Sequence, residues 1–297
     1  RTMAALTRVF ARLKTSPPLS LNFTIASTKG IRTNIRNLFA RSSANIRQES
    51  SRGMSTTSNS TSAAMNIKSP EQILEYWFGS SREEWDRKSE APNDAMDDLH
   101  VALWWGKRPG GRLPLDAAVV EGMDKEIATL FSETIHAGEE GFLTQGDTPW
   151  TEAKEPEGAL ALLILNGYMH KRIFRNHRQK VLENDEIAVK LASTIVAIGA
   201  DTDKEYDYTV YERKFIYLAL ANSGDKEEAD LGLAKLKELL EEIGIEGITN
   251  SVACLKTHIK NLELAWGRFG TNPYRKALKE EACTAEENEF INENPWL

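Results

Sequence analysis

From residue 69 onward, apolar positions recur every three to four residues, the period of a helix with one buried face. Ser69-Pro70-Glu71-Gln72 combines an N-cap, a Pro at the first helical position and a capping-box Gln, and Gly79 supplies a stop. Val120, Met123, Ile127, Leu130 and Phe131 stripe a second helix that ends near Gly138. Pro156 opens a third, which runs through the longest apolar stretch, Ala159–Leu165, toward Arg175. Further helices are predicted from Asp185 to Ile198 with a stop at Gly199, from Val210 to Leu220, and from Asp225 to Ile243 with Gly244 beyond. Asn250–Phe269 is long and amphipathic, and Thr284-Ala285-Glu286-Glu287 is another capping box. Period-2 alternation is absent, so the expected class is all-α, about eight helices joined by short loops that make neighbours antiparallel hairpins. No 34-residue repeat is legible, so periodicity alone establishes no helical-repeat solenoid.

Charge divides the chain differently. The first 48 residues hold nine Lys or Arg and no Asp or Glu, whereas the remainder holds 28 bases against 44 acids, a net charge of −16. Leu6, Val9, Phe10 and Leu13 share one helical face with Arg8 and Arg12 opposite; Ile31, Ile35, Leu38 and Phe39 repeat the pattern with Arg32, Arg36 and Arg41. Residues 1–54 therefore read as a mitochondrial presequence, with Arg52-Gly53-Met54-Ser55 resembling a matrix-peptidase cleavage region. A start at Met54 or Met65 would instead make the protein cytoplasmic. Residues 55–68 read as a disordered linker, rich in Ser, Thr, Asn and Ala. Residues 69–297 read as a single all-helical domain. No apolar run approaches the roughly 18–20 residues of a membrane span. Cys254 and Cys283 are isolated, which argues against a disulfide framework or zinc site.

Three segments carry a family resemblance. Ile73-Leu74-Glu75-Tyr76-Trp77-Phe78-Gly79 followed by Trp104-Trp105, the apolar helix Pro156–Leu165, and Arg268-Phe269-Gly270 with Pro273, Arg275, Ala277, Thr284 and Glu286-Glu287 are similar to the "domain of unknown function 924" family. Asp185 with Gly199 and Asp201, and Arg213 with Phe215 and Tyr217-Leu218, keep its intermediate spacing. The resemblance spans about residues 70 to 291 and implies a tetratricopeptide-like array of antiparallel helical hairpins. The chain departs from it in the polar signatures. An Asp-Gln-Phe-Pro-Arg-Asn signature becomes Asn166-Gly167-Tyr168-Met169-His170-Lys171-Arg172, and a His-Ser-Glu becomes Asn222-Ser223-Gly224. Near the C-terminus, Thr271-Asn272, Tyr274, Lys276 and Glu280-Glu281 replace other polar residues. If the family is catalytic, this member is expected to have lost or changed the chemistry, and the balance leans against an enzyme.

Candidate chemistry is sparse. His170, Lys171, Arg172, Arg175, His177, Arg178 and Lys180 form a run with no acid between Glu157 and Glu183. If the helix continued, Lys171, Arg175 and Arg178 would share a face. The sharp interpretation is an anion site; the plain one is pairing with acids such as Glu183, Asp185 or Glu186. Arg175, Arg213, Arg268 and Arg275 also match family arginines and are expected to converge on an acidic ligand or to form internal salt bridges. The candidate anion-binding set is thus Arg172, Arg175, Arg178, Arg213, Arg268 and Arg275. His258 reads as a structural histidine, and His170 and His177 lie too far apart for a shared metal. Zinc-protease, nucleophile-elbow, phosphate-loop and dinucleotide-binding signatures are all missing. No cofactor, metal or DNA partner is expected. Trp77, Phe78, Trp85, Trp104, Trp105 and Trp150 concentrate aromatic area in the N-terminal half. Trp104 and Trp105 cannot both face inward from one helix, so one is expected to line a groove. The first expectation for function is a non-enzymatic binding or scaffold module with a protein partner. The alternatives are a protein acting on or binding a small anionic, phosphorylated or carboxylate metabolite, and contact with RNA or anionic lipid through residues 170–180.

Overall fold

The computed structural model describes residues 66–79, 94–108, 113–140, 142–143, 150, 155–204, 206–244 and 249–294; the leader and most of the linker lie outside them. The elements are α1 (Pro70–Phe78), α2 (Asp94–Trp105), α3 (Ala117–Glu139), α4 (Glu155–Ile164), a π-helical segment (Leu165–Met169), α5 (His170–Ile173), α6 (Arg178–Ala197), α7 (Val210–Ala221), α8 (Lys226–Ile243), α9 (Asn250–Phe269), α10 (Pro273–Leu278) and α11 (Ala285–Glu293). Among the described residues there is no strand, only one isolated bridge between Lys107 and Pro114. The all-α class is what the periodicity predicts. No described helix is long and apolar enough to cross a membrane.

Side-chain caps set the helix starts. At α1, Ser69 Oγ accepts from the Gln72 amide at 3.2 Å while Gln72 Oε1 accepts from the Ser69 amide at 3.0 Å. Gly79 closes the same helix at φ 76, a left-handed conformation that glycine adopts without a Cβ penalty. The box at Thr284 and Glu287 is likewise present, and Thr209 with Glu212 makes a third at the start of α7. α6 begins at Arg178, seven residues before the predicted start, because the preceding helix ends at Phe174 and turns through residues 174–177.

The apolar stretch Ala159–Leu165 is buried almost throughout and packs against α1, α6 and α7. Trp77, Phe78, Trp104 and Phe215 meet edge-to-face with ring centroids 5.0–5.9 Å apart, each burying a large apolar area. Neither Trp104 nor Trp105 lines an open groove among the described residues. Trp104 faces this cluster and donates from Nε1 to the Trp77 carbonyl at 2.9 Å. Trp105 faces α9, donating to Ser251 Oγ at 3.2 Å, and both are 8% exposed. α2 is sandwiched between two layers, so opposite faces of one helix can both be interior.

The tightest joint is α7 on α8. A Cβ added at Gly232 would lie 2.2 Å from the Ala221 backbone nitrogen, so only glycine lets these backbones meet. Gly232→Ala is therefore expected to force the hairpin apart and destabilise the protein by about 1–3 kcal/mol or more. Urea unfolding checks this: the midpoint should fall at unchanged slope, and an unshifted midpoint would show the contact is not constraining.

Candidate functional site

Three buried polar clusters lie behind the apolar core. In the first, Glu139 at the end of α3 receives His170 Nε2 at 3.3 Å and Lys180 Nζ at 3.2 Å. The hydrogen bond from His170, reinforced by Lys180, holds the Glu139 carboxyl below the ordinary range despite its partial burial. In the second, Tyr217 donates to Asp201 Oδ2 at 2.8 Å, with Lys235 3.6 Å from the same oxygen. The third borders a cavity.

Its centre is Asp185, on the inward face of α6. Oδ1 takes Lys171 Nζ of α5 at 2.8 Å, and Oδ2 takes Arg275 Nη1 of α10 at 2.9 Å. The Asp185 and Arg275 side chains are 6% and 7% exposed, Lys171 22%. Two cations share this one carboxylate, Arg275 deeply buried and Lys171 partly exposed. A buried ion pair is stable only when its remaining groups are hydrogen-bonded. Arg275 is incompletely satisfied: its Nε is buried with no hydrogen-bond partner, and Asp185 engages only Nη1.

A cavity of about 10 Å³, opening to solvent, lies beside this cluster, its walls formed by Gly167, Ala188, Val189 and Ala219. Tyr168, Lys171, Asp185, Asn222 and Arg275 supply its polar lining. The π-helical segment sets this geometry. His170 N–H bonds to the Leu165 carbonyl, five residues back, which inserts one residue into the turn and rotates the downstream side chains by about 100°. Gly167 permits it, since a Cβ there would lie 2.9 Å from the Ala188 Cβ on α6. Tyr168 donates its hydroxyl to the Phe215 carbonyl at 2.9 Å, and burial, followed by the charge of Asp185, pushes the phenol well above its ordinary pKa. Its hydroxyl proton is thus directed to that carbonyl. Asn222, at the C-terminal end of α7, accepts through Oδ1 from His258 Nε2 at 3.0 Å, leaving its amide nitrogen without a protein partner.

The six candidate arginines are distributed over several carboxylates. Arg172 Nε and Arg175 Nη2 both hold Asp124, at 2.6 and 3.0 Å. Arg178 reaches Glu280 at 3.4 Å, Arg213 pairs with Glu242, and Arg268 Nε meets Glu286 at 2.7 Å. Arg275 alone lines the cavity. The 170–180 run is balanced by Asp124, Glu139, Asp185 and Glu280, so of the three acids named from sequence only Asp185 takes part. Lys171, Arg175 and Arg178 share no continuous helical face, because the helix breaks at Phe174. Asn222 was no candidate in the sequence. The one signal was its place in a stretch that departs from the family signature. Among the described residues no three His, Cys, Asp or Glu side chains are grouped to hold a metal.

His258, partly buried beneath Asn222, also packs its ring 5.7 Å from that of Trp105. Burial first, then the charges of Lys171 and Lys107, lowers its pKa from 6.5 to about 4. The unfolded chain takes up a proton here below pH 6.5 that the folded chain refuses until about pH 4. This contribution to stability is complete above pH 6.5 and is lost as pH falls through that window. In urea titrations, His258→Gln, which keeps a donor for Asn222, should flatten the decline between pH 6.5 and 4; an unchanged decline would assign it to other groups.

Comparison with known proteins adds a family without a function. No curated protein matches the sequence. A solved protein of unknown function from Agrobacterium tumefaciens, ATU0120, is similar at 20% identity and a TM-score of 0.41, covering 58% of this chain and 85% of its own. The match to the family described as "Bacterial protein of unknown function (DUF924)" extends over residues 73–295, from the α1 core residue Ile73 to just past α11, and the chain belongs to that family.

Proposed function

We propose that this protein is a non-enzymatic binding module, on a tetratricopeptide-like scaffold, for a small anionic ligand held in the cavity of Lys171, Asn222 and Arg275. One observation carries the proposal: Arg275 is 6% exposed, lines a cavity, and keeps its Nε unpartnered beside a carboxylate that it shares with Lys171. An orphaned buried N–H costs about 1–3 kcal/mol, so its retention calls for a compensating partner. Two other observations favour this over the alternatives. Of the aromatic residues singled out in the sequence, Trp77, Phe78, Trp104, Trp105 and Trp150 are buried and Trp85 lies outside the described residues, so the described residues offer no groove of tryptophans for protein docking. The cations of residues 170–180 are matched by internal carboxylates, which leaves a poor stripe for RNA or anionic lipid.

The test is thermal unfolding of the full chain with a panel of carboxylates, phosphate esters, sulfate and nucleotides. A ligand at a hundred times its dissociation constant adds about 2.7 kcal/mol, which should raise the midpoint by about 5 °C or more. The shift should be lost in Arg275→Lys, which keeps the charge but not the planar fork. No shift with any anion would overturn the proposal.

The basic leader belongs to the same proposal as a presequence that delivers the module to the mitochondrial matrix. A reporter fused after residue 68 should enter mitochondria with Arg8, Arg12, Arg32 and Arg36 intact and stay cytosolic when all four are Glu. A cytosolic parent fusion would dismiss the address.

A further inference from the structure

We propose that the ligand is the carboxylate of a small monoanionic organic acid, seated on the Nε–Nη2 edge of Arg275 and completed by the amide nitrogen of Asn222. This rests on the anion-binding proposal above and narrows it to one chemical class.

The guanidinium geometry comes first. Asp185 takes Nη1 through a single oxygen, and its other oxygen is held by Lys171. Nε has no partner, and no described residue accepts from Nη2. The N–H bonds of Nε and Nη2 are parallel and spaced to meet the two oxygens of a carboxylate. Charge comes second. Asp185 is shared between Lys171 and Arg275, and a singly charged carboxylate adds the least negative charge beside it. A phosphate monoester at about −2 would add about twice as much next to the buried Asp185.

Size agrees with charge. About 10 Å³ holds roughly one water-sized group. A planar carboxylate can place one oxygen there and the other at the mouth, whereas a tetrahedral phosphate or sulfate presents three. The polar lining agrees as well. Tyr168 spends its hydroxyl on the Phe215 carbonyl, so Arg275 and Asn222 provide the donors without a competing phenol. Finally, what lies over Nε on one side is a glycine with no side chain: a Cβ placed on the exposed Gly224 would lie 3.9 Å from it.

That last contact supplies the test. Gly224 has no left-handed φ, so a side chain there is unstrained, and Gly224→Glu should lay an internal carboxylate on the Arg275 edge. The 15N–1H resonance of Arg275 Nε would be followed in the full chain during titration with acetate, propionate, phosphate and sulfate. With acetate and propionate it should move downfield and saturate, and a tenfold excess of phosphate or sulfate should not displace them. In Gly224→Glu the resonance should start downfield and acetate affinity should drop at least tenfold; Gly224→Gln should stay within about twofold of the parent. Saturation by phosphate or sulfate with the carboxylates inert would overturn the carboxylate assignment and leave the anion proposal standing. A Gly224→Glu protein that binds acetate like the parent would overturn the placement on this edge. A resonance unmoved by every anion would overturn both.

Discussion

A single carboxylate joins parts of this molecule that the sequence keeps far apart. Asp185 lies on α6, Lys171 fourteen residues earlier on α5, and Arg275 ninety residues later on α10. The carboxylate fixes both cations, one on each oxygen. Without it, two positive charges would face each other across a space shielded from water, and charges so placed repel strongly at low effective dielectric. The short helix α10 is held on one side by α6 and on the other by a small apolar cluster in which its Tyr274 meets Ala265 of α9 and Phe290 of α11. Cavity, charge and the seating of α10 on α6 therefore share one dependence.

Around that anchor, each neighbour has been made narrow in its choices. Gly167 and Gly232 bring backbones together where any side chain would collide. Tyr168 is held by a backbone carbonyl, and Asn222 by a histidine that burial keeps neutral. At the cavity, the Nε of Arg275 and the amide nitrogen of Asn222 are both left without a protein partner. Groups this constrained cannot rearrange to satisfy them, because interdigitated interiors resist small displacements.

Much of the fold was legible in the sequence because helix caps are local. Ser69 with Gln72, and Thr284 with Glu287, declare their helices within four residues, and the structure shows the hydrogen bonds they imply. α2 was not assigned from its period because its second half, residues 100–105, has no polar face: Trp104 and Trp105 are both interior, on opposite sides. The break at Phe174 escaped for another reason. No Gly or Pro marks it, and the helical period runs through it unaltered. The site was the least legible part. Arg275 was among the six candidates, but nothing in its own neighbourhood separates it from Arg268, which spends its charge on exposed Glu286. What distinguishes the two is burial against α6, a property of the folded chain.

The π-helical segment has a consequence on an evolutionary scale. The wide turn at Leu165–Met169 accommodates one residue more than a regular helical turn without breaking the helix. The extra residue changes the angular phase of everything up to Phe174, and with it which side chains look toward α6. A loss of one codon here would restore a regular helix and turn Lys171 away from Asp185 by about 100°. Relatives differing by that single step could keep the same core and the same helices while presenting different chemistry to the same cavity, so that divergence of ligand within such a family need leave no trace in its packing.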